Sequence, residues 1–270
     1  MPFTNINGAQ IYYKVAGSGK PVVFVHAAIA DSRMWDSQFP VFAQKYRVAR
    51  YDQREFGQSR PVEGEFSHLE DLHALLQHLK IDSAYLVGCS MGGGLIMDFA
   101  LTYPKMVGAL VMVGATPSGY DYTGEPPTLW TELVDAFKKG DLDRTAELGV
   151  RLFVVGLERT PDQVDARIRN LVLDMQQIAL RNEKAGLGKA KPAQLTAVEH
   201  LAEIIAPTLI IVGDQDEAVV REAGEKMVAE MPAAQMVVLK DTAHLPNMEK
   251  PDEFNAVVQR FFDSLKNAER

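Results

Sequence analysis

Short apolar runs alternate with amphipathic helical segments through the first 113 residues of this chain. The run Val22–Val25 contains only β-branched and aromatic residues, which is typical of a strand buried on both faces of a sheet. Leucines recur at helical spacing over residues 67–79, where Ser67 is a suitable N-cap and Glu70 follows three residues later. Strand, helix and strand in this order predict an α/β fold with a mostly parallel central sheet flanked by helices. Further strands are predicted at residues 10–15, 47–51, 85–87 and 110–113.

The alternation of strands and helices is interrupted over residues 117–200, where the patterns are helical. We therefore predict one α/β core, formed by residues 1–116 and 201–270, with residues 117–200 inserted as a helical cap. Because the insertion lies between two strands, we expect it to cover the sheet edge that those strands share. The rest of the core is predicted to contain strands at 208–212 and 235–239 and helices at 222–230 and 252–265.

The composition argues against several classes of function. Lys and Arg total 28 and Asp and Glu total 36, so the net charge is −8, and neither nucleic acid nor a membrane is expected as a partner. Cys89 is the single cysteine, which excludes an internal disulfide and a cysteine-based zinc site. The first residues lack the basic and apolar regions of a secretory signal, and no apolar run reaches the roughly 18 residues of a membrane span. We therefore expect a cytoplasmic protein.

The segment Gly88-Cys89-Ser90-Met91-Gly92 has the pattern of a nucleophile elbow, because a predicted strand precedes it and a predicted helix follows it. A serine at such a sharp turn adopts a strained backbone, and its neighbours must be nearly free of side chains. The motif makes Ser90 the candidate nucleophile and places the Met91 amide at a helix N-terminus, where it can face an oxyanion. Cys89 points away from the apex and is predicted to be a small buried residue. The Gly-Lys-Ser/Thr end of a phosphate-binding loop is absent.

A serine nucleophile needs a base and an acid that orients the base. His244 follows the predicted strand 235–239, so it should lie at the same carboxyl edge of the sheet as Ser90. Asp216 follows the strand 208–212 and is the first choice for the acid, while Asp214 is the alternative. The resulting chain order of serine, acid and histidine is that of one of the convergent catalytic triads.

The remaining histidines carry weaker indications. His68, His73 and His78 are spaced five residues apart, which rotates each by about 140° around a helix, so they share no face and predict no metal site. His200 ends the insertion and has no partner nearby in sequence.

Four segments resemble the α/β-hydrolase superfamily, specifically its lid-bearing serine hydrolases. Residues 22–26 are similar to the strand that leads into a His-Gly oxyanion loop, and residues 51–59 to the D-x-R-G-x-G-x-S loop. The other two are the elbow at 88–92 and residues 213–216 taken with His244. The resemblance implies an α/β-hydrolase fold and catalytic residues Ser90, Asp216 and His244. It also implies an oxyanion hole formed by the Ala28 and Met91 amides, and no metal or cofactor.

Two residues depart from the superfamily pattern. Ala27 stands where glycine usually follows the histidine, and Glu55 replaces a common glycine. Glu55 lies either in a solvated loop or at the pocket, where it would disfavour anionic substrates. His26 is expected to be a structural, hydrogen-bonded residue behind the oxyanion loop.

The leading hypothesis is a serine hydrolase of small, largely uncharged carboxylic esters. An enol-lactonase, a perhydrolase and a C–C bond hydrolase share the triad. The run Ser90–Gly94 resembles the perhydrolases, and Cys89 disfavours the C–C hydrolases, which tend to have asparagine there. A ligand-binding, receptor-like protein that retains the triad is the alternative from another class. In the insertion, a minority of the large apolar residues should form the ceiling of the pocket and the rest the core of the cap: Trp130, Leu133, Phe137, Leu152, Phe153 and Leu157.

Overall fold

The computed structural model describes residues 2–192 and 194–268, and these form ten strands and nine α-helices. The strands are β1 (Phe3–Ile6), β2 (Ala9–Ala16), β3 (Pro21–Val25), β4 (Arg47–Tyr51), β5 (Gly64–Phe66), β6 (Ala84–Cys89), β7 (Val107–Val113), β8 (Gly188–Ala190), β9 (Thr208–Gly213) and β10 (Ala234–Leu239). The helices are α1 (Phe39–Phe42), α2 (His68–His78), α3 (Met91–Thr102), α4 (Thr128–Lys139), α5 (Leu142–Gly149), α6 (Ala166–Ala185), α7 (Ala218–Glu230), α8 (Pro246–Glu249) and α9 (Pro251–Ala268).

Eight of the strands form one sheet in the order β1-β2-β4-β3-β6-β7-β9-β10. The β1–β2 and β2–β4 pairs are antiparallel, whereas the neighbouring strands in the series β4-β3-β6-β7-β9-β10 all pair in parallel. The predicted mostly parallel sheet is therefore confirmed. The carboxyl ends of the parallel strands meet at one edge, which is where an open α/β sheet presents its binding loops.

Alternate residues of the central strands pack on opposite faces of the sheet. Val23 and Val25 join a core with α2, α3 and α7, whereas Val22 and Phe24 join a core with α1 and α9. Both faces are covered by helices, so β6 is buried along its whole length and β3 from its second residue onward. This double coverage explains why these strands are continuous apolar runs in the sequence.

The segment between β7 and β9 is mostly helical. It contains α4, α5, a π-helical turn at Val150–Val155 and α6. Its last part also forms β8, which pairs in parallel with β5. An ion pair of 2.8 Å between Arg33, which follows β3, and Asp174 of α6 joins this segment to the loop after β3. No helix in the described part of the chain has both the length and the apolar character needed to span a bilayer.

A buried ion pair fixes the loop after β4 against α2. The Arg54 guanidinium donates to both carboxylate oxygens of Asp71 at 2.9 Å, and both side chains are only 4% exposed. Asn7 donates a further hydrogen bond to Asp71 at 2.9 Å. This loop carries Gln53 and Glu55 to the carboxyl edge of the sheet.

We expect Asp71→Asn to lower the free energy of unfolding by about 3 to 5 kcal/mol, because it leaves the Arg54 charge buried without its partner. The measurement is the urea midpoint at neutral pH. Arg221→Gln is the control, since the ion pair of Arg221 with Glu225 is exposed and should change stability by less than about 0.5 kcal/mol. Equal effects of the two substitutions would contradict the assigned role of the buried pair.

Candidate active site

Ser90 occupies the sharp turn between β6 and α3. Its backbone has φ 52° and ψ −118°, a conformation that a residue with a side chain rarely adopts. The turn is held by a hydrogen bond from the Ser90 amide to the Val113 carbonyl at 2.8 Å. The Gly94 amide in turn donates to the Ser90 carbonyl at 3.0 Å. The strained turn directs Ser90 into the cavity at the carboxyl edge of the sheet.

The glycines around Ser90 are required by close approaches of backbone. A Cβ on Gly88 would overlap the Gly92 carbonyl, and a Cβ on Gly92 would overlap the carbonyls of Val25 and His26. A Cβ on Gly93 would overlap the methyl group of Ala115. These contacts confirm the steric reason for the glycines in the motif.

His244 and Asp216 are brought together from the loops after β10 and β9. His244 Nδ1 lies 3.0 Å from each carboxylate oxygen of Asp216, and the two side chains are only 6% and 2% exposed. Since a carboxylate can only accept, Nδ1–H is the donor and Nε2 is left for a proton transfer. Asp214, the alternative acid, is exposed and bonds to Gln215 instead. The structure therefore places Asp216 against His244.

The surroundings of His244 favour its protonated form. Burial by itself lowers the pKa of an imidazole, but the Asp216 carboxylate and, more weakly, Glu217 outweigh it. As a net result the pKa of His244 is raised above the ordinary 6.5. The His244–Asp216 pair thus favours the imidazolium that forms when His244 accepts a proton.

Gly114 makes room for this pair, although the sequence analysis did not single it out. It follows β7 with φ 54°, and its amide donates to Ile211 at 2.9 Å. A Cβ at this position would lie 3.1 Å from His244 Nδ1 and 3.3 Å from Asp216 Oδ2. A glycine directly after a buried strand was the only sequence signal available for this role.

The loop after β3 presents Ala28 to the cavity. The Ala27 amide donates to the Met34 sulfur at 3.3 Å, so it is not free for a ligand, whereas Ala28 is exposed and lines the cavity. His26 is fully buried: its Nδ1 donates to the Ala27 carbonyl at 2.8 Å and its Nε2 accepts from the Gln53 amide at 2.9 Å. Burial lowers the pKa of His26, which is consistent with this neutral tautomer and with its predicted structural role.

A cavity of about 1650 Å³ contains Ser90, His244, Ala28 and Met91 in its lining. Part of its wall comes from α4, which contributes five lining residues and buries only Ala136. The expectation that most of the large apolar residues of the insertion pack inside the cap is wrong, because four of the six line the cavity. These four are Trp130, Leu133, Phe137 and Phe153, whereas Leu152 is buried in the protein and Leu157 is partly exposed outside the cavity.

The charged groups of the cavity wall are mostly acidic where they are withdrawn from water. Glu55 and Glu217 are half-buried, and burial raises the pKa of both carboxyls. Glu55 therefore lies at the pocket, the second of the two placements considered for it, and its backbone has φ 75°. No arginine is found in the described cavity lining, and its three lysines, Lys138, Lys189 and Lys191, are exposed.

Two further residues near the cavity are uncharged. His68 lines the cavity, and burial lowers its pKa to about 4. Cys89 is fully buried behind Ser90 with its sulfur 3.7 Å from the His244 carbonyl, and burial raises the pKa of its thiol. His200, the remaining histidine of the insertion, does not line the cavity, and its Nδ1 lies 2.7 Å from a carboxylate oxygen of Glu203. Within residues 2–192 and 194–268, no three His, Cys, Asp or Glu side chains are grouped so that they could hold a metal ion.

Comparisons with known proteins agree with this architecture. A family model described as alpha/beta hydrolase fold matches residues 20–251. A 2-hydroxy-6-oxononadienedioate/2-hydroxy-6-oxononatrienedioate hydrolase of Paraburkholderia xenovorans (strain LB400) is 31% identical, over 93% of this chain and 90% of that protein. A pimeloyl-(acyl-carrier protein) methyl ester esterase of Aeromonas hydrophila is 25% identical, over 91% of this chain and 96% of that protein. The solved structure of Est816, an N-acyl homoserine lactone degrading enzyme, is 26% identical with a TM-score of 0.78, covering 96% of this chain and 100% of that one.

We expect the His244 imidazole to titrate above pH 6.5, because Asp216 stabilises its protonated form. In Asp216→Asn the charge is lost while burial remains, so the pKa of His244 should fall below that of the unaltered protein. The measurement is an NMR titration of the histidine side chains, with His244→Gln used for assignment. The His68 signal is the internal control and should stay near 4 in both proteins. An unchanged His244 pKa in Asp216→Asn would refute the electrostatic assignment.

Proposed function

This chain belongs to the alpha/beta hydrolase fold family, and we propose that it is a serine hydrolase of uncharged carboxylic esters. We propose Ser90, His244 and Asp216 as its catalytic residues, and residues 117–200 as a cap over a core of residues 1–116 and 201–270. The observation that carries the proposal is that Ser90 and the Asp216-bonded His244 line one cavity.

The proposed reaction proceeds through an acyl-enzyme. His244 Nε2 accepts the proton of the Ser90 hydroxyl while the oxygen attacks the ester carbonyl carbon. The C–O bond of the ester then breaks, and His244 returns the proton to the leaving alcohol. Water repeats the sequence on the acyl group, which releases the carboxylic acid and restores Ser90. Asp216 accepts from Nδ1–H throughout and stabilises the imidazolium.

The negative oxygen of the tetrahedral intermediate needs hydrogen-bond donors that are already in place. We propose the amides of Ala28 and Met91 for this role. Met91 is the first residue of α3, so its N–H has no partner within the helix and lies at the positive end of the helix dipole. Ala28 lines the cavity from the neighbouring loop, and the preceding amide, that of Ala27, already donates to the Met34 sulfur.

The lining of the cavity supports an uncharged substrate with an apolar group. The apolar face of α4, with Trp130, Leu133 and Phe137, offers a surface for an acyl chain. The half-buried Glu55 and Glu217 would repel a carboxylate, and the described lining has no arginine to bind one.

A C–C bond hydrolase is the second candidate, because the Paraburkholderia relative is named as a hydrolase of a dienedioate. A dienedioate carries two carboxylates, and the described cavity wall presents only exposed lysines to bind them. The ester function therefore fits the charges of this cavity better. A lactone is an internal ester and would follow the same acyl chemistry, as the description of Est816 illustrates.

We expect Ser90→Ala to reduce hydrolysis of p-nitrophenyl butyrate by at least about 10³-fold, because the nucleophile is lost. Its thermal unfolding should remain cooperative, and labelling by a fluorophosphonate should disappear. Thr102→Ala is the control: its exposed hydroxyl bonds within α3 at the cavity rim, and we expect activity within about threefold. Ligand binding without turnover by the unaltered protein would instead favour the receptor-like alternative.

We expect Glu55→Gln to raise the kcat/KM of an anionic ester relative to a neutral one by roughly fivefold, the size of a charge interaction of about 1 kcal/mol. Suitable substrates are the mono-p-nitrophenyl ester of glutaric acid and p-nitrophenyl butyrate, at about pH 8, well above an ordinary carboxyl pKa. Glu63→Gln, an exposed position outside the cavity, should leave the ratio unchanged. A ratio unaffected by Glu55→Gln would show that this carboxyl does not select the substrate.

A further inference from the structure

Arg159 joins the insertion to the loop that carries His244. Its Nε donates to the Val155 carbonyl at 2.7 Å and its Nη2 to the Val154 carbonyl at 2.9 Å. Its Nη1 donates to the Asp241 carbonyl at 3.0 Å and pairs with Glu249 Oε2 at 2.7 Å. One side chain thus binds the end of the π-helical turn, the start of the His244 loop and α8.

Glu249, which pairs with Arg159, also contacts Ala243, the residue before His244. Its second carboxylate oxygen accepts from the Ala243 amide at 2.7 Å. The side chains of Arg159 and Glu249 are only 11% and 6% exposed, so the pair is withdrawn from water. A buried ion pair gives little net stability compared with apolar residues of the same size, so its presence here calls for another reason.

The π-helical turn, to which Arg159 is bonded, also contacts His244. The His244 amide donates to the Phe153 carbonyl at 3.1 Å, and the Phe153 ring centre lies 5.2 Å from that of the imidazole. Phe153 belongs to the π-helical turn whose next two carbonyls accept from Arg159. The backbone amide of Ala243 is therefore held by the carboxylate that pairs with Arg159, and the amide of His244 by the turn whose next two carbonyls Arg159 binds.

We propose that Arg159 is a positioning residue for His244, acting through Glu249 and the π-helical turn to fix the imidazole between Asp216 and Ser90. The proposal rests on the function proposed above, in which His244 transfers the proton of Ser90. Arg159 is not in the cavity lining, so it does not touch the substrate. Its loss should consequently slow the chemical step and leave substrate binding almost unchanged.

The first test uses Arg159→Gln and Glu249→Gln with p-nitrophenyl butyrate. We expect kcat to fall by about 10- to 100-fold, the effect of a displacement of roughly 1 Å in a catalytic group, with KM within about twofold. The rate of fluorophosphonate labelling should fall with kcat, because it also needs the base. The double variant should lose no more than the larger single loss, since each substitution breaks the same connection. Arg167→Gln is the control, because Arg167 lies in the same insertion with a side chain 90% exposed.

A second variant separates positioning from stability. Arg159→Met with Glu249→Leu replaces the buried pair by apolar side chains of similar size, which should restore the melting temperature lost in the single variants. We expect kcat to stay low in this variant. Recovery of both the melting temperature and kcat would overturn the proposal, as would single variants with unchanged kcat or losses equal to that of Arg167→Gln.

The NMR signal of the hydrogen-bonded Nδ1 proton of His244 provides a readout that needs no substrate. We expect it to broaden or shift in Arg159→Gln and in the apolar double variant, but not in Arg167→Gln. If the unaltered protein cleaves no ester, the proposed function fails, while this signal still decides whether Arg159 positions the imidazole. An Nδ1 signal identical in all variants would refute the positioning role.

Discussion

The site depends on the close approach of three backbone segments around Ser90. Gly88 at the end of β6, Gly92 in the first turn of α3 and the carbonyl of Val25 at the end of β3 leave no space for a Cβ between them. This contact forces the turn at Ser90 into its positive φ and brings the Ala28 loop beside the N-terminus of α3. The candidate nucleophile and the two candidate oxyanion donors are thus placed by main-chain packing rather than by mobile side chains.

Neighbouring charges and burial set the pKa values of the titratable residues around His244. Asp216 and Glu217 raise the pKa of His244, while His26, buried with its own hydrogen bonds, has a lowered pKa. Burial raises the pKa of the Glu249 carboxyl, and the hydrogen bond from Arg159 opposes that shift. The pKa values of these two buried histidines are therefore shifted in opposite directions. His244 faces a carboxylate, whereas His26 bonds to a carbonyl and an amide.

Features set by local sequence could be predicted, and features set by distant contacts could not. The central strands and the Ser90 turn depend on apolar runs and glycines that are adjacent in sequence, and His244 follows from its place after a strand. The role of Gly114 depends on side chains 102 and 130 positions away, which no local pattern records. The spacing of Trp130, Leu133 and Phe137 predicts an apolar helix face but does not indicate whether it meets protein or a cavity. Strand β8 has three residues, two of them exposed, and forms only because β5 is beside it.

The burial of Cys89 allows local unfolding of this protein to be followed by the chemical modification of its thiol. It is the single thiol of the chain, it is fully buried at the end of β6, and burial raises its pKa. A thiol reagent reacts with the thiolate and needs solvent access, so it must wait until this end of β6 is exposed. At low reagent concentrations the rate of modification therefore measures the fraction of molecules in which the strand beneath Ser90 is open, without any label having been introduced.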